Sequence, residues 1–337
     1  MELPHYIIVG EKLSDKVVER LRIGGFRNAL IITSPTPYRL MASKIESEAH
    51  NAIDVEVCVL GEYGKLLNGL ESGRYDVVLG VGGGRVIDTA KAVAETVNVP
   101  LFSIPTVASH DGIASPMTSI RTGGKAYSRK SVMPSVIIAD MSVISLAPRR
   151  YAVSGCGDLI AKYSAVRDWW LGHLSSGEYY GRYAAHLAYL SAAVIIKSSR
   201  KISRMDLDGV RTIVEALISA GVSMGIAGSS RPCSGSEHLI AHSLEHLMDN
   251  PPLHGERCGV ATVFTSYLHG SNWRRIAESL RGLGAPSTLN ELGVDTDIFT
   301  EAVIKAPTIR PERYTVLNRV KLDRKRILDI LQETGLA

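Results

Sequence analysis

The chain has 337 residues, enough for about two domains at roughly 150 residues each. Its 38 Lys and Arg against 34 Asp and Glu leave a formal charge of +4, and no basic run is dense enough to track a nucleic-acid backbone. With 45% apolar and 21% charged residues it can bury a large core, which excludes disorder as its main state.

Taken in chain order, residues 5–9 read as a strand and 14–23 as a helix stopped by Gly24-Gly25. A compact apolar run at 28–33 is a second strand, followed by Pro35, Pro37 and a helical stretch over 38–50. Strand 53–60, helix 65–72 and strand 76–81 follow, and the last runs into Gly82-Gly83-Gly84 and a helix reaching about residue 97. Residues 99–104 and 135–139 are further strands. Between them, 117–120 and 126–131 flank Gly123-Gly124 and predict a hairpin projecting from the sheet. Wholly apolar strands separated by helices predict a parallel sheet covered on both faces, an α/β domain over residues 1–150.

Beyond residue 150 the strand signal fades. Helical spacing recurs at 157–170, 178–199, 207–227, 236–248, 256–268, 273–283 and 323–334, so residues 151–337 are expected to form an all-α domain. The stretch 184–196, taken as the most apolar, falls short of the ~20 residues a membrane span needs and reads as a buried helix. The N-terminus MELPHYIIVGEKLSDK has no basic head before a long apolar run, so no signal peptide is expected. Cys58, Cys156, Cys233 and Cys258 form no CxxC pair, which predicts free thiols and a reduced, cytoplasmic setting.

Three features carry chemistry. Residues 77–91 run strand, triple glycine, helix, an arrangement whose free helix-start N–H groups suit a diphosphate. This is neither a Walker A, since no Gly-Lys-Ser/Thr follows, nor GxGxxG, since Ile87 stands where the third glycine would fall. The plain alternative is a tight connection that uses glycine only for its dihedrals. A second loop, Pro105-Thr106-Val107-Ala108-Ser109-His110-Asp111-Gly112, follows the next strand, where open α/β sheets bind ligands. The third feature is a helical face bearing His238, His242, Glu245 and His246, with His254 opening the next helix. Two imidazoles and a carboxylate form the ligand set of catalytic zinc or non-haem iron. His246 is expected to be an ordinary surface or hydrogen-bonded histidine. Residues 242–246 also match H-x-x-E-H, a metalloprotease pattern that would leave the glycine loop without a role. Asp158 reads as a carboxylate at the start of a helix, where an N-terminal cap is its ordinary role.

Residues 82–91, 105–112, Gly157-Asp158, Glu237-His238 with His242, and His254-Gly255-Glu256 together resemble the superfamily of glycerol dehydrogenases, iron-type alcohol dehydrogenases and dehydroquinate synthases. Thr106 to Gly112 and Arg85 point to its sn-glycerol-1-phosphate dehydrogenase branch. The resemblance implies a Rossmann-like N-terminal domain, a helical C-terminal domain and an active site in the cleft between them. It implies reduction of dihydroxyacetone phosphate to sn-glycerol 1-phosphate by NADH or NADPH for ether-lipid backbones, with self-association to a homodimer or larger assembly. Carried onto this sequence, Asp158, His238 and His254 would bind one Zn²⁺ per subunit. Asp111 and His242 would be catalytic, and with Asp158 would meet substrate. Gly82, Gly83, Gly84, Arg85, Val86, Ile87, Asp88, Thr106, Val107, Ala108, Ser109 and Ser115 would line the cofactor. A polyol dehydrogenase or a dehydroquinate-synthase-like lyase shares these parts.

The substrate phosphate would need a cation. Lys125, Arg129, Lys130, Lys162 and Arg257 are candidates, though solvated surface charge is the ordinary role of most of them. The loop Thr33-Ser34-Pro35-Thr36 lacks the acidic residue that would repel a 2′-phosphate, so NADPH is expected to serve as well as NADH.

Overall fold

The computed structural model describes residues 1–50, 52–60, 73–122 and 125–337, and the side chains of 120–127 lie outside that description. The helix expected at 65–72 and the Gly123-Gly124 turn also fall outside the described residues. Contacts divide the chain into two units. One comprises 1–108, 112–120 and 127–148, and the other 109–111, 121–126 and 149–337.

The first unit contains β1 (Tyr6–Gly10), β2 (Asn28–Thr33), β3 (Asp54–Val59), β4 (Val77–Gly82), β5 (Leu101–Pro105), β6 (Met117–Thr122), β7 (Lys125–Lys130) and β8 (Val136–Asp140). Six of them form one sheet in the order β1-β8-β5-β4-β2-β3, and β6 and β7 pair separately. Every pairing in the large sheet is parallel. Strand alternation sends Ala29, Ile31, Leu79 and Val81 to one face, where α1 (Ser14–Ile23) and α2 (Ser43–Ala49) cover them. Leu30, Ile32 and Val78 face the other way, onto Val86, Ala90 and Val93 of α3 (Gly84–Val97). Both faces are therefore apolar, which is why β4 and β8 are buried along their whole length.

The second unit is helical: α4 (Arg149–Ser176), α5 (Arg182–Ile202), α6 (Leu207–Ala227), α7 (Ser236–Leu247), α8 (His254–Leu268), α9 (Trp273–Leu283), α10 (Thr296–Lys305) and α11 (Arg324–Thr334). Sequence patterning passes over α10 and starts α4 too late, at 157 rather than 149. Gly157, taken as the start of the helix, lies inside it and serves a contact. A Cβ at Gly157 would lie 2.1 Å from the Gly255 carbonyl oxygen, and one at Gly255 would lie 1.8 Å from the Ser154 carbonyl oxygen. The backbones of α4 and α8 touch here, and only glycine permits it.

By length and composition α6 could cross a membrane. Its most apolar window has a mean hydropathy of 1.5, yet 61% of that window is buried within the protein. Its bounds match the helix expected at 207–227, but it, and not the stretch 184–196, is the one apolar enough to raise the question. It is a core helix with a buried face running from Val210 to Met224.

Candidate metal centre and glycine loop

The glycine loop lies wholly in the first unit. Gly83 precedes the first turn of α3 with an extended backbone and no side-chain cap, so the leading N–H groups are not taken up by a capping side chain. None of Gly80, Gly82, Gly83 and Gly84 has a positive φ, so their dihedrals do not demand glycine. Packing does. A Cβ at Gly80 would come within 2.8 Å of the Ala90 Cβ, and one at Gly82 within 2.7 Å of the Val86 Cβ. The glycines let α3 lie close on β4, and at Gly83 the nearest neighbour is Val107 Cγ2, at 3.1 Å. Thr106 N–H donates to the Gly82 carbonyl (3.1 Å), which ties the second loop to the first.

The remaining expected cofactor residues divide by exposure. Arg85 is exposed, whereas Val86, Ile87, Thr106 and Ala108 are buried and Ser109 is half-buried. Asp88 accepts from Ser119 N–H (3.1 Å) and pairs with the buried Lys91 (3.3 Å), so its carboxylate braces β6 itself. Ser115 is buried, its hydroxyl 3.4 Å from Met117 N.

The second unit gathers the other set. Asp158, on the third turn of α4, is 1% exposed and lies inside the helix, so the expected N-terminal capping role is wrong. His238 sits in the first turn of α7 and His254 opens α8. Their Nε2 atoms stand 3.4 and 3.7 Å from Asp158 Oδ1. Cys258, one turn along α8 from His254, places its Sγ 3.6 Å from His254 Nε2. Ligand atoms of all four lie within 4.8 Å of one another. Tetrahedral zinc with bonds of about 2.0–2.1 Å requires ligand separations of about 3.3 Å, so the imidazole–carboxylate spacings fit a shared cation. Among the described residues Asp158 Oδ1 is buried without a well-aligned hydrogen bond, and its ion-pair partner is Lys162 Nζ at 2.8 Å. A divalent ion would complete it.

Lys162 is fully buried and also stands 2.7 Å from Asp111 Oδ2. Burial alone would raise the Asp158 carboxyl, but the Lys162 ammonium and the two imidazoles hold it well below the ordinary carboxylate range. Burial would likewise lower Lys162, and Asp111 and Asp158 together reverse that and raise it. Asp111 is fixed twice, by Lys162 and through its own N–H, which donates to Asp158 Oδ2 (3.0 Å). That is why residues 109–111 group with the helical unit.

His242 lies one turn beyond His238, ring centroids 6.3 Å apart, and 5.7 Å from His254. Among the described residues its buried Nδ1 has no hydrogen-bond partner within reach, the Glu245 Oε2 being 3.9 Å away. Burial pushes the imidazole down to about 4, so it is neutral through the physiological range. Glu245 is engaged by Arg257 at 3.1 Å, and neither it nor His246 joins the four-ligand cluster, which leaves the H-x-x-E-H protease reading without support.

Among the phosphate candidates, Arg129 and Lys130 are exposed and paired with Glu95 and Glu2. Lys162 and Arg257 break the surface expectation. Both are buried, and Arg257 is committed to the Ala241 carbonyl (2.6 Å) and Glu245. The side chain of Lys125 lies outside the described residues. Sequence reasoning missed Cys258, although its spacing of four from His254 on a helix was an available signal.

Comparison with known proteins bears on these features. A family model described as iron-containing alcohol dehydrogenase matches residues 8–148. The chain is similar to a glycerol-1-phosphate dehydrogenase (NAD(P)+) of Thermococcus sibiricus, 42% identical over 344 residues, covering 100% of this chain and 98% of that protein. The protein of the same name from Nitrosopumilus maritimus is 40% identical over 336 residues, covering 96% and 94%. In fold, the chain resembles the crystal structure of glycerol dehydrogenase from Schizosaccharomyces pombe, with a TM-score of 0.81, 21% identity and coverage of 99% and 89%. The chain belongs to the glycerol-1-phosphate dehydrogenase family.

Proposed function

From that membership we propose that the protein reduces dihydroxyacetone phosphate to sn-glycerol 1-phosphate with NADH or NADPH, supplying the backbone of ether lipids. Relatedness of about 40% along the whole chain carries this reading, since the glycerol dehydrogenase likeness at 21% speaks to fold alone. The buried carboxylate–imidazole cluster supports it chemically.

Asp158, His238 and His254 would hold the metal, for which zinc suits the nitrogen and carboxylate donors. Gly83, Gly84 and the first turn of α3 would receive the diphosphate of the dinucleotide. Once bound, the nicotinamide supplies the hydride, and the cation supplies Lewis-acid stabilisation of charge building on the ketone oxygen. The protein's own residues prepare the site. Lys162 keeps Asp158 ionised and pins Asp111, so both carboxylates are held in place before substrate arrives. His242 is neutral and its Nδ1 is unpartnered among the described residues, so it can hold a substrate hydroxyl or pass on a proton. The turn Pro35–Pro37 after β2 follows Thr33 and Ser34 with no carboxylate, which supports acceptance of both dinucleotides.

The test follows NAD(P)H absorbance with dihydroxyacetone phosphate and with dihydroxyacetone, before and after chelation. Oxidation is expected with the phosphorylated ketone, lost on chelation and restored by zinc. No oxidation with it would overturn the reading. Asp158→Asn is expected to strip the metal and to lower kcat/KM by about a thousandfold, measured by metal analysis and steady-state kinetics.

A further inference from the structure

Beside the ligand histidine His238 lies a carboxylate that the reaction as described does not use. Glu237 is fully buried at the start of α7. Its Oε1 is 2.8 Å from His238 Nδ1 and accepts the Gly235 N–H at 2.7 Å. Its Oε2 accepts the Ser164 hydroxyl at 2.6 Å, and Thr265 Oγ1 in turn lies 3.1 Å from Ser164 Oγ. Glu237 thus contacts α4 directly and reaches α8 through Ser164, the two helices that carry the other expected ligands.

A carboxylate can only accept, so the proton of a neutral His238 must sit on Nδ1. The lone pair is then left on Nε2, the atom 3.4 Å from Asp158 Oδ1. Among the described residues, the hydrogen-bond partners of its oxygens are one N–H, one hydroxyl and one imidazole. Glu237 lies in the first turn of α7, where free N–H groups favour an acidic side chain. The nearby Asp168 does a separate task. Its Oδ2 accepts the Ser236 N–H at 2.6 Å, and its Oδ1 faces His269 at 3.0 Å.

We propose that Glu237 is a positioning residue for the metal centre. It fixes the tautomer and ring plane of His238 and strengthens its Nε2 as a donor, while Ser164 and Thr265 hold the carboxylate in place. The proposal rests on the reading that Asp158, His238 and His254 bind a divalent metal. Outer carboxylates of this kind are worth about 10–100-fold in metal affinity.

The experiment measures Co²⁺ and Zn²⁺ affinity of the full chain by chelator competition, with the cobalt visible spectrum and the melting temperature of the metal-free protein. Glu237→Gln keeps the shape and removes the charge. It is expected to lower affinity by about 10–100-fold and to shift the cobalt spectrum, with the metal-free melting temperature near wild type. Wild-type affinity and spectrum in a folded Glu237→Gln overturn the proposal and leave the metal site standing. Should Glu237→Gln not fold, Ser164→Ala decides. A smaller fall in affinity supports the proposal, and none overturns it. A wild-type protein that binds no stoichiometric metal overturns the site itself, and the proposal with it.

Discussion

The two units use glycine for opposite ends. Around the triple glycine, missing side chains make room for other side chains, with Ala90 and Val86 settling onto Gly80 and Gly82 of β4. In the helical unit they make room for backbone, with Gly157 and Gly255 letting α4 and α8 meet at their peptide groups. A Cβ does not move with rotamer, so relief at Gly80 or Gly82 needs α3 to lift from β4, but by less than the 1.8 and 2.1 Å contacts at Gly255 and Gly157 would demand of two helices. The same residue type therefore marks a close contact in one place and a closer one in the other. The closer one lies next to Asp158.

The largest expected effect comes from testing that contrast directly. Gly157→Ala or Gly255→Ala should destabilise the protein by more than the ~1–3 kcal/mol usual for overpacking and disturb the metal cluster, whereas Gly82→Ala should stay within that range. Thermal melts followed by circular dichroism make the comparison. Equal losses at the three positions would erase the distinction between the units.

A middle-sized effect concerns the charged interior of the helical unit, which has no counterpart in the glycine loop. His242 titrates near 4 when folded and near 6.5 when unfolded, so below 6.5 the unfolded chain binds the extra proton. Its contribution to stability is complete above pH 6.5 and is lost as pH falls towards 4, by up to about 3 kcal/mol. His242→Gln should flatten that part of the acid limb in denaturant titrations of the metal-free protein. An unchanged limb would show that the imidazole is not desolvated.

The smallest effect belongs to the surface of the sheet unit. Arg129 makes a two-pronged contact with Glu95, but both are well exposed. Arg129→Ala should cost under about 1 kcal/mol and leave KM for the phosphorylated ketone unchanged. A large rise in KM would return Arg129 to the list of phosphate contacts.

The contrast also explains what could be read in advance. The strands of the first unit were legible to within two residues, because a strand buried on both faces is a short unbroken apolar run, as in NALIIT of β2. The start of α4 was not, because Gly157 looks locally like a helix boundary and is explained only by a helix about a hundred residues away. His238 and His242 declare themselves by a spacing of four on α7. Asp158 does not, since nothing local separates a carboxylate buried inside a helix from a helix cap. Cys258 was hidden differently: scanning for paired cysteines discards a lone thiol, while its partner, His254, is one turn away on the same helix. The ionic bond of Lys162 to Asp111 joins residues 51 positions apart (162 − 111) and no periodicity reports it.

The placement of the donors has a consequence for how an ion would come and go. Asp158 is locked in mid-helix and His238 is tethered through Glu237, and both are almost wholly covered. His254 differs, being the first residue of its helix, 29% exposed, and preceded by the irregular stretch 248–253. An ion held by these three would therefore meet solvent first at His254.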